Sequence, residues 1–173
     1  MKKLVVLVVL VMAISLTFGN AFAAVFPHEE AKVEITIPDT WKVEPKGDEL
    51  HAEVKGETAA DDLILIFSIV KGEDLVATIE SSTKELEKQF GELKTEKTTE
   101  IELNGMKTYC EDCKSADGKY SVSLAMIQTP ANKFMLVYYA ASPEAEKKYE
   151  KDVTDILQSI KPLVDEKKAE EKK

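Results

Sequence analysis

The segment that decides the fold is LILIFSIV, residues Leu63–Val70. Successive side chains of a strand point to opposite faces of the sheet, so this segment is apolar on both of its faces. Such a strand is typical of the middle of a sheet that is covered on both sides. The stretch Phe134–Ala141, FMLVYYAA, has the same character. The sequence therefore predicts a sheet with two central, doubly covered strands.

Further strands are predicted on either side of these two. An alternating pattern predicts half-buried strands at Lys32–Ile37 and Leu50–Val54. The segment between Phe90 and Phe134 is expected to form a meander. Its predicted strands are Thr98–Leu103, Met106 to about Lys114, and Tyr120–Gln128, with tight turns at Asn104-Gly105 and Asp117-Gly118.

Two amphipathic helices are predicted. The first begins after Asp74 as N-cap and runs to about Phe90, where Gly91 stops it. The second begins at Ser142-Pro143, an N-cap followed by a favoured first-turn proline, and its apolar stripe continues to Pro162. The expected fold is α+β, with a mainly antiparallel central sheet sandwiched between the two helices in an α/β/α arrangement.

Residues 1–23 read as a secretory signal peptide. Met1-Lys2-Lys3 is followed by an apolar stretch and then by small residues at Ala21 and Ala23. This order is the one that signal peptidase cleaves, which places the cut after Ala23. The apolar stretch is about 15 residues, shorter than the roughly 20 that span a bilayer. The mature protein is therefore expected to be periplasmic or extracellular, with no stable membrane anchor.

The remaining chain is expected to be a single globular domain, residues 24–163, followed by a charged disordered tail, residues 164–173. The formal net charge is −9, and it becomes −11 once Lys2 and Lys3 are removed. An acidic surface disfavours nucleic acid, which carries charge of the same sign. It is compatible with a cationic partner.

Catalytic and metal-binding side chains are scarce. The sequence has two histidines, His28 and His51, and His51 falls on the polar side of a predicted strand. A triad mechanism would need one of these as its base, and a histidine-rich zinc site would need more of them. We therefore assign no catalytic residue, no metal ligand and no cofactor from the sequence.

The motif Cys110-Glu111-Asp112-Cys113 is the one constellation that could carry chemistry. In an exported chain it suggests a structural disulfide or a redox pair. Residues i and i+3 of a regular strand lie about 10 Å apart, which is too far for a disulfide. We therefore expect the strand to bend at Glu111-Asp112 and the cysteines to be oxidised. Two free thiols, a haem site that uses Lys114, and a zinc site shared with a second chain are the alternatives.

Three segments resemble the PsbP-like superfamily. They are the opening Ile35-Thr36-Ile37-Pro38-Asp39-Thr40-Trp41, the hairpin Asn104-Gly105, and the closing Ile156-Leu157-Gln158-Ser159-Ile160-Lys161. This superfamily includes the PsbP subunit of photosystem II, a Ran-binding nuclear import factor and many small secreted bacterial proteins. The resemblance covers roughly Val33–Leu163. It implies a PsbP-like fold and a role in binding other proteins, without a shared catalytic motif.

Three functions are consistent with these observations. The first is a non-catalytic binding or accessory module with a protein partner in the cell envelope. The second is a thiol-disulfide redox protein that uses Cys110 and Cys113. The third is a carrier of a small ligand in a gap between a helix and the sheet.

Overall fold

A computed structural model describes residues 23–54, 62–70 and 75–163. The predicted signal peptide (apart from Ala23), the N-cap Asp74 and the charged segment 164–173 lie outside the described residues. Ten strands and two helices are found in the described part, numbered in chain order. They are β1 (Ala23–His28), β2 (Val33–Pro38), β3 (Lys42–Lys46), β4 (Glu49–Val54), β5 (Leu63–Ile69), α1 (Leu75–Phe90), β6 (Leu93–Leu103), β7 (Met106–Ser115), β8 (Ser121–Gln128), β9 (Phe134–Ala141), α2 (Pro143–Ser159) and β10 (Lys161–Pro162).

The strands form two antiparallel sheets. The larger has seven strands in the order β3-β4-β5-β9-β8-β7-β6, and the smaller has three in the order β1-β2-β10. The α+β prediction, an antiparallel sheet with two helices, is confirmed. The structure differs from the prediction in having a second sheet, to which β2 belongs. Strands β1, β3 and β10 were not predicted from the sequence.

The two faces of β5 are covered unequally. Leu65 and Phe67 are fully buried on one face, whereas Ile64 and Ile66 on the other are half-buried. We call the face that carries Phe67 the core face and the face that carries Ile66 the α1 face. The expectation that this strand is covered on both sides therefore holds completely only for the core face.

The small sheet and α2 cover the core face. Val33, Ile35 and Ile37 of β2 are fully buried in the same apolar cluster as Ile156 of α2 and Phe67. Ser142 caps α2 as predicted, because its hydroxyl accepts a hydrogen bond of 3.0 Å from the backbone N–H of Ala145. These contacts make the core face the main hydrophobic core of the described residues.

The Asn104-Gly105 hairpin turn is confirmed and has a second role. Asn104 and Gly105 have φ angles of 48° and 82°, as a tight turn between paired strands requires. The Asn104 side-chain amide donates hydrogen bonds to the backbone oxygens of Gln158, at 2.8 Å, and Ile160, at 2.7 Å. The hairpin thereby holds the C-terminal end of α2.

The C-terminal half of helix α1 packs against the α1 face. Leu86 is buried there, and the Phe90 ring lies 5.0 Å from that of Tyr120 and 6.4 Å from that of Tyr138. The cluster beneath the helix is much smaller than the core-face cluster. Within the described ranges, neither helix is long and apolar enough to cross a membrane.

Candidate functional site: a groove beside helix α1

The apolar stripe of α1 is interrupted in its middle. Ile79 lies on the stripe, and the positions three and four residues later, which would continue it, are Ser82 and Thr83. The next apolar anchor is Leu86, a full two turns after Ile79. The middle of the helix therefore has little to bury against the sheet, and an open space remains beside it.

This space is a groove with a volume of about 870 Å³. Ile79 forms its helical wall, and Tyr109, Met126 and Phe134 contribute from strands β7, β8 and β9. The register places Met126 directly opposite Tyr109, so these side chains share the α1 face. Two depressions of about 450 Å³ and 270 Å³ flank the same helix. The larger groove has an apolar base of the kind that ligand-binding sites use.

The groove has an acidic rim. Glu80 contributes from α1 and Glu100 and Glu102 from β6, whereas Lys107 is the cation among the lining residues. All four side chains are exposed. No ion pair within the described part of the chain joins any of the three carboxylates to a lysine. The opening of the groove therefore carries a net negative charge.

This negative charge affects the ionisation of Tyr109, whose pKa is raised. Burial raises the pKa of its phenol, and the carboxylates of Glu111 and Glu100 raise it further. The phenol therefore stays neutral and presents an aromatic ring and a hydroxyl to the groove. Aromatic rings beside carboxylates favour a cation, through the ring quadrupole and through direct charge attraction.

The two cysteines do not form the predicted disulfide. Both are free thiols, and β7 pairs with β8 without interruption from Thr108 to Lys114. Cys110 therefore lies on the core face and Cys113 on the α1 face, about 10 Å apart along a regular strand. The expected bend at Glu111-Asp112 is wrong, because the irregularity lies in the neighbouring strand.

That irregularity is a β-bulge in β6. Thr95 pairs with Cys113 and Lys97 with Asp112, which leaves Glu96 as an extra residue. The bulge lets β6 bend while β7 remains straight. A Cys110–Cys113 bond would thus require β7 to break its ladder on both sides.

The surroundings of the thiols also disfavour thiolate chemistry. Burial raises the pKa of Cys110, and the Asp112 carboxylate adds to the effect. Burial likewise raises the pKa of Cys113, although the Thr95 hydroxyl, 3.8 Å from its sulfur, opposes the shift. A reactive cysteine needs the opposite, a lowered pKa in an electropositive setting.

The structure brings no histidine to the groove. His51 lies in β4, and its Nε2 is 2.7 Å from a carboxylate oxygen of Glu49, while its Nδ1 is buried without a hydrogen-bond partner. His28 is the last residue of β1, which belongs to the three-stranded sheet. Among the described residues, no group of three or more histidine, cysteine or acidic side chains is arranged to hold a metal ion.

The groove residues were not identified from the sequence, although one signal for them exists. Ser82 and Thr83 interrupt the stripe of α1, and such an interruption indicates a helix that cannot close completely on its sheet. The strand residues Tyr109, Met126 and Phe134 carry no comparable signal, because they come together only through pairing of separate strands.

Comparisons with known proteins give the fold of the chain. No protein-family model and no curated protein sequence matches it. Its structure is similar to the crystal structure of PA94 from Pseudomonas aeruginosa, a protein of unknown function, with 15% identity, a TM-score of 0.51, and 79% of this chain and 94% of that chain covered. It is also similar to cyanobacterial PsbP (CyanoP) from Synechocystis sp. PCC 6803, with 11% identity, a TM-score of 0.53 and coverages of 83% and 94%.

A third similar structure is LpqN of Mycobacterium tuberculosis, which is involved in cell envelope biogenesis. The identity is 11%, the TM-score is 0.55, and 80% of this chain and 89% of that chain are covered. At these identities the likeness concerns the fold. The antiparallel sheets, the two helices and these three neighbours together identify the described part of the chain as a PsbP-like fold.

Proposed function

We propose that this protein is an exported, non-catalytic binding module of the cell envelope, and that the groove beside α1 holds an apolar part of a protein partner. In this proposal the seven-stranded sheet lies between two unequal layers. The small sheet and α2 close the core face, whereas α1 closes only part of the other. The observation that carries the proposal is the open groove of about 870 Å³ with Met126 and Phe134 in its lining.

Two further observations support an envelope location. The predicted leader would deliver the domain across the cytoplasmic membrane. LpqN, which has a similar structure, is involved in cell envelope biogenesis. The redox alternative has no comparable support, since Cys110 and Cys113 point to opposite faces of β7.

A photo-crosslinking amino acid at position 79 should capture one defined partner in the native envelope. The same amino acid at Val25, a 55% exposed apolar residue of the small sheet, is the matched control and should capture none. Phe134→Arg places a charge in the lining and should abolish the adduct at position 79, whereas Val25→Arg should leave it intact. Thermal unfolding of each variant checks that it is folded.

Two results would contradict the groove assignment. One is the same set of adducts from positions 79 and 25, which indicates non-specific contact. The other is an undiminished adduct at position 79 in the folded Phe134→Arg variant. Either result would show that the partner does not bind in the groove.

The mature protein is expected to begin at Ala24. Cleavage there would leave Ala24–His28 to pair with β2, in which Ala24 lies opposite Ile37. Intact-mass measurement of protein purified from the envelope fraction tests this directly. Protein in membranes with residues 1–22 still attached would overturn the proposal of a cleaved protein without a membrane anchor.

A further inference from the structure

Strand β6 forms one outer edge of the seven-stranded sheet. It pairs with β7 on one side, and no described strand lies on the other. Edge strands present unpaired backbone N–H and C=O groups, which can pair with a strand of another protein. At eleven residues, β6 is also the longest strand in the described part of the chain.

The two halves of β6 differ in how this edge is protected. The first half contains Lys94, Lys97 and the bulge at Glu96, and lysines and bulges are the features that prevent edge-to-edge pairing. The second half, Thr98–Leu103, has regular pairing with β7 and contains neither a lysine nor a bulge. Only the second half is therefore open to strand addition.

The open half presents different chemistry on its two faces. Glu100 and Glu102 lie opposite Tyr109 and Lys107, on the face that forms the rim of the groove. Two residues along a strand are about 7 Å apart, the spacing of alternate side chains in any strand laid beside it. Between them, Ile101 points to the opposite face and is 47% exposed, which is unusual among the large apolar side chains that the structure describes.

We infer that a strand of the partner adds to Thr98–Leu103, with lysine or arginine at alternate positions facing Glu100 and Glu102 and an apolar residue beside Ile101. Backbone hydrogen bonds would hold the strand, and cross-strand pairs would select it. The inference rests on the proposed function, because Glu100 and Glu102 are also the rim of the groove. A strand added here would lie along the entrance of that groove.

A second copy of this chain fits the same edge poorly. In an antiparallel pairing centred on Ile101, Glu100 of each copy would lie opposite Glu102 of the other. Like charges directly opposite each other destabilise a strand pair. The charge pattern therefore favours a basic partner segment over self-association.

The probe for the test is a six-residue peptide of alternating lysine and valine. It should bind the full mature protein, and hydrogen exchange should slow at backbone amides within Thr98–Leu103. Glu100→Lys with Glu102→Lys should weaken binding by about tenfold or more, because two attractive cross-strand pairs become repulsive. Glu144→Lys with Glu150→Lys, exposed positions on α2, makes the same change in net charge and should leave the affinity within about twofold.

A peptide of the same sequence with methylated backbone nitrogens cannot add as a strand. If it binds as tightly as the parent, or if the Glu144→Lys/Glu150→Lys control loses affinity equally, attraction to the general acidic surface explains the binding and the inference is overturned. A different pattern of results would contradict the proposed binding of a partner in the groove. Slowed hydrogen exchange in β6 without a specific adduct at position 79 would refute binding of the partner in the groove but not strand addition. An adduct at position 79 without slowed exchange in β6 would refute strand addition but not binding in the groove.

Discussion

Replacing Phe67 with alanine is expected to lower the free energy of unfolding by about 3–5 kcal/mol. Phe67 is fully buried on the core face of β5, between the strands β4 and β9, in the cluster that joins the large sheet to β2 and α2. Its truncation removes an aromatic ring from water-free surroundings and leaves a cavity that the paired strands cannot close. Urea denaturation followed by the fluorescence of Trp41, the single tryptophan, measures the loss.

Ile66→Ala is the matched control for this variant. Ile66 is the adjacent residue of the same strand, but it lies on the half-buried α1 face. We expect a loss of about 1–2 kcal/mol, since part of the side chain already contacts solvent. Equal losses at positions 66 and 67 would contradict the unequal covering of the two faces.

Asn104→Ala is expected to lower the free energy of unfolding by about 3–4 kcal/mol, although the residue is exposed. Two effects add together. Its amide makes the hydrogen bonds to the backbone oxygens of Gln158 and Ile160, each of which contributes about 1 kcal/mol. Its φ of 48° lies in the left-handed region, which costs a residue with a plain Cβ about 1–2 kcal/mol.

Asn104→Gly separates the two effects. Glycine adopts a positive φ without strain, so this variant loses only the hydrogen bonds and should be less destabilised than the alanine variant. Chemical denaturation of both variants gives the comparison. If glycine is as destabilising as alanine, backbone strain contributes nothing, and if neither variant is destabilised, the hairpin does not hold α2.

Local signals in the sequence predicted much of the fold. The bounds of β9, Phe134–Ala141, agree with the prediction, because a long apolar run flanked by a turn and an N-cap leaves little choice. The Asn104-Gly105 turn and the Ser142 cap were predicted because each depends on a few neighbouring residues. All the interactions that form this turn or this cap are made between residues within about four positions of one another along the chain.

Features that depend on distant pairing could not be predicted in this way. The alternation in Val33–Ile37 indicates a half-buried strand, but it does not say which sheet the strand joins. Strand β6 begins at Leu93, five residues before the predicted Thr98, because its exposed first half is held by pairing with β7 and not by an apolar face.

The cysteines illustrate the same limit. Strand geometry correctly implies that residues 110 and 113 of a regular strand cannot be bonded. The prediction failed because it assumed an oxidised pair and bent β7 to allow it, whereas both thiols are free, β7 is regular, and the irregularity lies at Glu96 of β6. The candidate groove was missed for a related reason, because Ile79 and Phe134 are 55 positions apart in the sequence.

The pairing of β2 with both β1 and β10 has a consequence for the order in which the described part of the chain folds. Strand β2 is the second of the described strands in chain order, whereas its partner β10 is the last of them. The Ser159 hydroxyl, 2.8 Å from the backbone nitrogen of Thr36, joins positions 123 residues apart. Contacts of such long range close slowly, because the loop between them must be ordered first. The core face therefore cannot close until β2 has come together with the distant elements α2 and β10.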